Sequence, residues 1–301
     1  MQIETIDLLY RGVSRVIASY LVMGPDGPVL VETGPGSTLE TLLAGLNDHG
    51  VAPRDIRHVL VTHIHLDHAG AAGWWAKQGA TVYVHPFGAP HLIDPSKLIA
   101  SATRIYKDEM ETLWGDILPA PPEKVIPVQD GQVIEAGGLS FTAIESPGHA
   151  RHHHVYHLGD VAFSGDAAGI HFPDSPWIDV PAPPPEFDLE AWQVTIDKIR
   201  TLKTTTLYPT HYGATQEVDV QLAGLQIALE EVVEFVQSLI DEGLDRDQMV
   251  DRYSQRLRDR VAQAGASAEL VQAMEFANPK AMSVDGISRY LRKRAESQGA
   301  P

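Results

Sequence analysis

Residues 62–68 read Thr-His-Ile-His-Leu-Asp-His and place four metal-ligating side chains within six positions. The segment follows a short apolar run that is typical of a buried strand. If it stays extended, His63, His65 and Asp67 alternate onto one face. His68 comes one step later, where small residues indicate a turn into a helix. This one segment could therefore supply ligands to two neighbouring metal ions.

Two adjacent cations require more ligands than these four, and three later residues share a suitable context. Each follows a strand-like run at a turn with small or proline neighbours, where folds commonly present functional groups. These residues are His149, Asp166 and His211. Imidazole and carboxylate ligands without thiolate suit Zn²⁺, with Fe²⁺ and Mn²⁺ as alternatives. Asp166 could bridge two divalent ions about 3.5–4 Å apart, which would hold a shared hydroxide for hydrolysis.

The run His152-His153-His154 needs a separate interpretation, because adjacent side chains of a strand point in opposite directions. A hydrogen-bonding role behind the metal ligands fits His153, whereas we expect His152 and His154 to be exposed. For His85, which follows a strand, we expect a structural role, with support of the site as the alternative. The histidines to which we assign no function are His49, His58, His91 and His157.

The composition limits the classes of function. The 301 residues carry a formal net charge of −17, whereas a nucleic-acid enzyme normally presents basic groups to the phosphate backbone. We therefore expect a small-molecule substrate and no nucleic-acid partner. The absence of cysteine excludes disulfides, thiolate metal sites and cysteine nucleophiles. No run is apolar for long enough to span a bilayer and no signal peptide is visible, so we expect a cytoplasmic protein without a membrane partner.

The first half of the chain alternates strand-like and helix-like runs. A helix is predicted from Ser37 to Asn47, with Ser37 and Glu40 as its capping box. Residues 86–122 then form a predicted helical insertion with proline at both ends. A segment of this length is often a lid over a site, and a purely structural excursion is the alternative. The predicted strands and the other early helix are 16–23, 29–32, 56–62, 81–85 and 69–78.

The second half changes character twice. Short strands with glycine-containing turns indicate a meander over 125–163. The proline-rich passage 173–185 follows, as a linker or as a wall of the pocket. Apolar residues then recur at spacings of three and four, which predicts amphipathic helices. These helices are 222–239, 246–262, 269–276 and 283–294.

Four motifs occur in an order that resembles the metallo-β-lactamase superfamily, and most closely its glyoxalase II (hydroxyacylglutathione hydrolase) and lactonase branches. The resemblance spans roughly residues 16–213 by motif order. It implies an α/β fold, namely an αββα sandwich with the site at one edge of two sheets, over a catalytic domain at 1–213. Residues 214–301 would form a helical C-terminal extension. The motifs are His-x-His-x-Asp-His at 63–68, Pro-Gly-His at 147–149, Gly-Asp at 165–166 and the late His211.

The resemblance also implies a role for each ligand. Asp67 would be the catalytic residue that passes a proton to the leaving group. Glu32 stands where the family has Asp in an Asp-Thr-Gly turn, so its longer side chain would support the site from behind the ligands. Counterparts of the glutathione-binding basic residues of glyoxalase II enzymes are not recognisable. The ligands would be His63, His65 and His149 for one metal, Asp67, His68 and His211 for the other, and Asp166 as the bridge.

The sequence therefore favours a dinuclear metal-dependent hydrolase of a small ester, thioester or lactone. The alternatives are a mononuclear iron dioxygenase that acts on persulfides and a non-catalytic metal-binding module. The C-terminal helices could pack against a second copy, so a homo-oligomer stays open. Aromatic residues that could line the pocket, with core packing as the alternative, are Tyr106, Trp114, Trp177 and Tyr212.

Overall fold

Strand residues alternate between two separate cores. In strand β2 (Ala18–Gly24), Tyr20 and Val22 pack between the sheets, whereas Leu21 packs against helices. Successive side chains of a strand point to opposite faces, so a run that is apolar throughout needs a layer on each side. The resulting architecture is an αββα sandwich, an α/β fold with a helical C-terminal region, as the sequence predicts. The computed structural model describes residues 2–173, 175 and 177–299.

The first sheet has six strands in chain order. Its first three strands are antiparallel, and β3 to β6 run parallel. The last strand was predicted as part of the later meander, but it pairs with β5 and completes this sheet. The strands are β1 (Gln2–Asp7), β2, β3 (Gly27–Val31), β4 (His58–Leu60), β5 (Thr81–Val84) and β6 (Val125–Pro127).

The second sheet has five strands in the order β11-β10-β9-β8-β7. Strands β7 to β10 form the predicted antiparallel meander, and β11 joins β10 in parallel. The core between the two sheets includes Phe141 and Phe163 from this sheet and Tyr20 from the first. The strands are β7 (Val133–Ala136), β8 (Leu139–Glu145), β9 (His154–Leu158), β10 (Val161–Gly165) and β11 (Thr206–Pro209).

Helices cover both outer faces of the sandwich. Among the described helices, none combines the length and the apolarity that a membrane crossing needs. The helices are α1 (Leu39–Asp48), α2 (Leu66–Ala69), α3 (Ala72–Lys77), α4 (Ala89–Ile93), α5 (Ser96–Tyr106), α6 (Met110–Trp114), α7 (Leu189–Thr201), α8 (Val218–Asp241), α9 (Arg246–Ala264), α10 (Ala268–Ala277) and α11 (Lys280–Gln298).

Two helix predictions are wrong in detail. The capping box is absent, because a 3₁₀ turn (Gly36–Thr38) precedes α1 and the Ser37 hydroxyl donates instead to the Leu113 carbonyl at 2.7 Å. The Ser37 side chain therefore contacts the insertion and does not cap the N-terminus of α1. The helix predicted over 69–78 is split into α2 and α3, and α2 begins before Asp67 rather than after His68.

The C-terminal helices share cores with the sandwich. Helices α8, α9 and α11 pack with α7 on the outer face of the second sheet, and α9 and α10 also contribute to the core beside the first sheet. The insertion is helical, as predicted, through α4, α5 and α6. Its role as a lid and the division of the chain at residue 213 remain predictions.

Candidate metal centre

The early histidine segment changes conformation halfway along. Strand β4 ends at Leu60, and α2 begins at Leu66. His63 and His65 therefore lie on extended chain, as predicted, but Asp67 and His68 are neighbours in the first turn of a helix. The expectation that Asp67 continues the strand alternation is wrong, because the His65 carbonyl already accepts helical hydrogen bonds from His68 and Ala69. This turn directs Asp67 and His68 to a second group of ligands.

Three ring nitrogens converge in what we call the imidazole triad, His63, His65 and His149. The His65 Nδ1 atom lies 2.9 Å from the Nε2 atom of His63 and 2.9 Å from that of His149, and these two Nε2 atoms lie 3.2 Å apart. Three neutral rings cannot satisfy one another in a closed triangle while their other nitrogens hold protons. A tetrahedral Zn²⁺ ion with Zn–N bonds near 2.0–2.1 Å would have N···N edges of roughly 3.3 Å. The triad therefore fits a metal ion.

The mixed group comprises Asp67, His68 and His211, and Asp166 lies between it and the triad. The His211 Nε2 atom is 3.4 Å from Asp67 Oδ2 and 3.7 Å from Asp166 Oδ1. The His68 Nε2 atom is 3.5 Å from the same Asp166 oxygen, whereas Asp166 Oδ2 is 3.3 Å from His149 Nε2. Each carboxylate oxygen of Asp166 thus faces a different group, which is the arrangement that a bridging ligand requires.

Several atoms at the centre of the site are buried without hydrogen-bond partners. They are the Nε2 atoms of His68 and His211 and the Oδ1 atom of Asp166. Leaving a buried polar atom unpaired costs about 1–3 kcal/mol, and three in contact with one another need a common explanation. The triplets His63–His68–Asp166 and Asp67–His68–His211 each have ligand atoms within 4.8 Å of one another and could hold a metal ion.

Backbone carbonyls fix the orientation of two of the imidazoles. The Nδ1–H of His149 donates to the Pro181 carbonyl at 2.8 Å, and that of His211 donates to the Val16 carbonyl at 2.6 Å. A ring that donates from Nδ1 presents an unprotonated Nε2 atom on its other side. Both Nε2 atoms point into the site, as metal ligands require.

Glu32 lies beneath both groups of ligands. Its carboxylate accepts hydrogen bonds from the Thr62 and Thr210 hydroxyls and lies 3.2 Å from the Nδ1 atom of His68. The Thr62 hydroxyl lies 3.1 Å from the Nδ1 atom of His63. One buried carboxylate therefore connects the triad to the mixed group, consistent with the predicted supporting role. Its backbone has a φ of 65°, which non-glycine residues rarely adopt.

Two glycines permit the chain to approach the site closely. Gly148 has a φ of +135°, and a Cβ there would lie 2.3 Å from the Cβ of Trp192. Gly165 has a φ of +50°, and a Cβ there would lie 2.4 Å from the Thr62 hydroxyl and 2.7 Å from the Nε2 atom of His153. Only glycine fits these positions. They place His149 and Asp166, which follow directly.

The three adjacent histidines differ from the prediction in part. His153 accepts a hydrogen bond at Nε2 from the Asp166 backbone N–H at 3.2 Å, and its Nδ1 atom lies 2.9 Å from the Ser146 hydroxyl. It thus contacts a ligand from behind, as expected. The prediction that His152 and His154 are exposed is wrong, since both are buried. His152 lies in the turn before β9, and His154 is the first residue of that buried strand.

Burial is the largest influence on the protonation of the triad. Desolvation, with repulsion from the neighbouring imidazoles, lowers the pKa of His63 well below its usual value and lowers that of His65 to about 3. Desolvation likewise lowers the pKa of His149, although Asp166 partly offsets this. All three rings are therefore neutral at pH 7, which is the state that binds metals.

Carboxylates reverse the effect of burial in the mixed group. Desolvation lowers the pKa of His68 and His211, but Asp166 and Asp67 outweigh it and raise both pKa values above the usual range. Burial raises the pKa of Asp67, but His68 and His211 outweigh it and hold the value at about 2. In the absence of a metal ion, protons on His68 and His211 therefore balance the negative charge of the carboxylates.

A cavity of about 590 Å³ opens above the site. Ligand residues of both groups contribute to its lining, as do Tyr106 and Trp114 of the insertion. Trp177 and Tyr212 are not among the lining residues. Both pack against the apolar cores instead, and Tyr212 is near Asp7 and Arg15. The ligand residues in the lining are His65, Asp67, His149 and Asp166.

Two lining residues, Tyr10 and Phe276, were not identified from the sequence. Tyr10 precedes the first strand-like run of the prediction, and Phe276 ends a predicted helix. Neither position carries a motif, so only the spatial arrangement reveals them.

The family model for the metallo-β-lactamase superfamily matches residues 14–211. This range contains all seven predicted ligands and both sheets apart from β1. The chain belongs to this superfamily. The superfamily contains metal-dependent hydrolases, and the His/Asp cluster fits a metal site of that kind.

Relatives show how far the likeness extends. A metallo-β-lactamase fold-containing protein of Sulfurisphaera tokodaii is 28% identical over 203 residues, which are 66% of this chain and 74% of that protein. An atrochrysone carboxyl ACP thioesterase of Aspergillus fumigatus is 27% identical over 260 residues, covering 82% of this chain but only 64% of the thioesterase. A metallo-β-lactamase family protein of Thermus thermophilus has a TM-score of 0.70 at 20% identity, covering 97% of this chain and 94% of that one, which shows the fold alone.

Proposed function

We propose that this superfamily member is a dinuclear metal-dependent hydrolase of small esters, thioesters or lactones. One observation carries the proposal. The neutral nitrogens of the imidazole triad converge beside a second set of buried, unpartnered ligand atoms, and Asp166 directs one oxygen towards each set. A structural zinc site is closed by four protein ligands, whereas this arrangement has a cavity directly above it.

The proposed ligands are His63, His65 and His149 for one cation, Asp67, His68 and His211 for the other, and Asp166 for both. Two divalent cations bound there would supply Lewis acidity and lower the pKa of water towards neutrality. Ligands of this kind suit Zn²⁺ first, with Fe²⁺ and Mn²⁺ as alternatives.

Asp67 is the residue placed to move protons. Its side chain is 21% exposed, whereas its partners His68 and His211 are buried, and it contributes to the cavity lining. With a pKa of about 2, its carboxylate is ionised at working pH. From this position it could accept the proton released from the attacking water and pass it to the leaving group of a substrate in the cavity.

Within the superfamily, the proposal places this chain with enzymes of the lactonase and thioesterase type, in preference to a glutathione-dependent glyoxalase II. Support comes from the thioesterase among the relatives and from a cavity whose walls are mainly apolar. The substrate is a small molecule.

The test combines metal analysis with a substrate panel. Protein stripped by a chelator is reloaded with Zn²⁺, Fe²⁺ or Mn²⁺, and its metal content and hydrolysis of matched esters, thioesters and lactones are measured. We expect two ions per chain and activity that disappears on chelation and returns on reloading. A single iron with oxygen consumption on a persulfide would overturn the proposal in favour of a dioxygenase. Two ions with no hydrolysis across the panel would contradict the hydrolase assignment.

A further inference from the structure

Four aromatic rings form one continuous wall of the cavity. Tyr10 stacks on Trp114 with ring centroids 6.1 Å apart, and Tyr106 meets Trp114 edge-on at 5.1 Å. Phe276 meets Tyr10 edge-on at 6.3 Å. The rings come from the N-terminal segment, the insertion and α10, and all four line the cavity. We call this set the aromatic wall.

Two exposed apolar side chains also line the cavity. Phe87 and Ile105 both line it, and they are 57% and 46% exposed. Large apolar side chains grouped at a concave site indicate a surface that a ligand covers. Apolar area removed from water stabilises a complex by about 25 cal/mol per Å², so a bound apolar group would gain free energy here.

Acidic side chains outnumber the three cationic ones in the cavity lining, Arg11, Lys97 and Arg151, and the two arginines are engaged by the protein. The Arg151 guanidinium lies 2.8 Å from a carboxylate oxygen of Glu186, and the Arg11 guanidinium lies 4.2 Å from the centroid of the Phe276 ring. Glu109 and Glu275 add further negative charge to the lining. A substrate with several carboxylates would meet this charge with little compensation.

We infer that the substrate carries a large, apolar, ring-bearing acyl group, which packs on the aromatic wall while its leaving group lies beside Asp67. This inference rests on the proposed hydrolase function and narrows its substrate class. Aromatic side chains in a cavity wall favour offset or edge contacts with a ring of the ligand. The cavity volume lies within the range of about 300–1,000 Å³ that is common for small-molecule sites.

The test uses thioesters of one thiol, N-acetylcysteamine, with acetyl and 2-naphthylacetyl as the acyl groups. Rates are divided by the spontaneous hydrolysis rate of each compound. We expect kcat/KM for naphthylacetyl to exceed that for acetyl by about 100-fold, as one fused ring system buried in an apolar pocket allows. The glutathione thioester of the same acyl group should be a poorer substrate.

Substitutions in the aromatic wall test whether it causes the preference for the naphthylacetyl group. Phe276→Ala and Tyr106→Ala should each lower the naphthylacetyl-to-acetyl ratio about ten-fold, since each removes one ring of the wall. Phe235→Ala is the matched control, because Phe235 packs against Tyr253 on α9 and is not among the lining residues. Equal rates for both acyl groups would overturn this inference and leave the hydrolase function standing. No turnover of either thioester, or of the wider panel, would contradict the function itself.

A second inference rests on hydrogen bonds from the C-terminal extension to the segment that carries the Pro181 carbonyl. The Pro181 carbonyl fixes His149, and the residues on either side of it are held by α11 and the turn before it. Asn278 donates from Nδ2 to the Val180 carbonyl at 2.9 Å, and the Ser283 hydroxyl lies 3.3 Å from the same oxygen. The Ala182 N–H donates to the Ser283 hydroxyl at 3.4 Å.

A buried ion pair anchors the same segment. The Lys280 ammonium donates to Asp179 Oδ2 at 2.5 Å, and Asn278 donates to that oxygen at 3.1 Å. Both members of the pair are buried. A buried charge is costly unless it is paired and hydrogen-bonded, so this contact strongly favours one position of the segment. Gly286 allows the close approach, since a Cβ there would lie 1.9 Å from the Ala182 carbonyl oxygen.

We propose that Asn278, Lys280 and Ser283 are positioning residues for His149 and that they act through the Pro181 carbonyl. The C-terminal extension would then be part of the metal centre and more than a cover for the second sheet. Partners behind a ligand commonly change metal affinity by 10–100-fold. These three residues lie one contact further from the metal than such partners do. We therefore expect their substitution to lower the metal affinity about ten-fold.

The experiment measures metal affinity by chelator competition, together with the visible spectrum of the Co²⁺-loaded protein, in Ser283→Ala and Lys280→Met. Asp285→Asn is the matched control, because Asp285 lies on α11 like Lys280 and Ser283, and its partner is the solvent-facing Arg246 of α9. We expect weaker binding and an altered spectrum in the first two variants alone. Reduced melting temperature with unchanged affinity and spectrum would overturn the proposal. If Lys280→Met fails to fold, the milder Ser283→Ala still decides.

Discussion

The imidazole triad and the mixed group share a buried site but respond to burial in opposite ways. In the triad, nothing opposes desolvation strongly, so the pKa of His65 falls to about 3. In the mixed group, Asp166 and Asp67 outweigh desolvation and raise the pKa of His68 and His211. The nearby carboxylates, rather than the depth of burial, account for the difference.

The difference in protonation predicts that the imidazole triad and the mixed group bind their metal ions in different ways. The triad already presents neutral nitrogens at pH 7, so an ion would enter without displacing protons. The mixed group holds protons between imidazoles and carboxylates, and metal binding there must release them. Substitutions and pH should therefore affect the two groups differently.

Asp67→Asn should affect the mixed group most. We expect kcat to fall by about 10²–10⁴-fold, the range for loss of a general acid–base group, and one ion per chain to be lost while the triad retains its own. Steady-state kinetics and elemental analysis of the same preparation measure both effects. Asp48→Asn, at the exposed end of α1, is the control. Full occupancy with unchanged kcat would remove Asp67 from the mechanism.

Glu32→Gln should weaken both halves together. The carboxylate supports His68 directly and His63 through the Thr62 hydroxyl, so we expect metal affinity to fall by about 10–100-fold. Chelator competition measures each ion separately, with the exposed Glu40→Gln as the control. A loss of metal affinity in only one of the two groups would show that Glu32 does not connect the triad to the mixed group.

The pH dependence of stepwise binding should separate the halves. The raised pKa values of His68 and His211 mean that protons compete for the mixed group at neutral pH, so its affinity should rise with pH by about ten-fold per proton displaced and per pH unit. The lowered pKa values of the triad predict affinity that is nearly constant from pH 7 to 8. Calorimetry in buffers of different ionisation enthalpy counts the protons. Identical pH slopes at both sites would contradict the comparison.

His154 tests the effect of burial at a histidine outside the two ligand groups, where desolvation outweighs the opposing charge of Asp130. Desolvation lowers its pKa to about 3 in the folded protein, below the unfolded value near 6.5. The unfolded state therefore binds more protons between these values, and stability is lost as pH falls below 6.5. We expect His154→Phe to reduce the loss of unfolding free energy between pH 7 and 5.5 by about 1 kcal/mol. Denaturant unfolding of the metal-free protein at both pH values measures it, and an equal loss in both proteins would contradict the assignment.

The sequence predicted much of the fold because the relevant signals are local. Apolar runs located the strands, and spacings of three and four located α8 to α11. The failures involve long-range contacts. The Ser37 hydroxyl bonds to the insertion instead of capping α1, and β6 joins the first sheet because β5 is its parallel partner. No pattern within either segment specifies those partners.

The candidate site divides in the same way. The chemical identity of the seven proposed ligands is a property of the chain alone, and their motif order carries the resemblance that implies the αββα class. Tertiary structure decided which nitrogens face one another, that His152 and His154 are buried, and that Tyr10, Phe276 and the turn before α11 reach the site. The pKa values also belong to this second category, because desolvation and charge pairing depend on distances that exist only after distant segments have packed together.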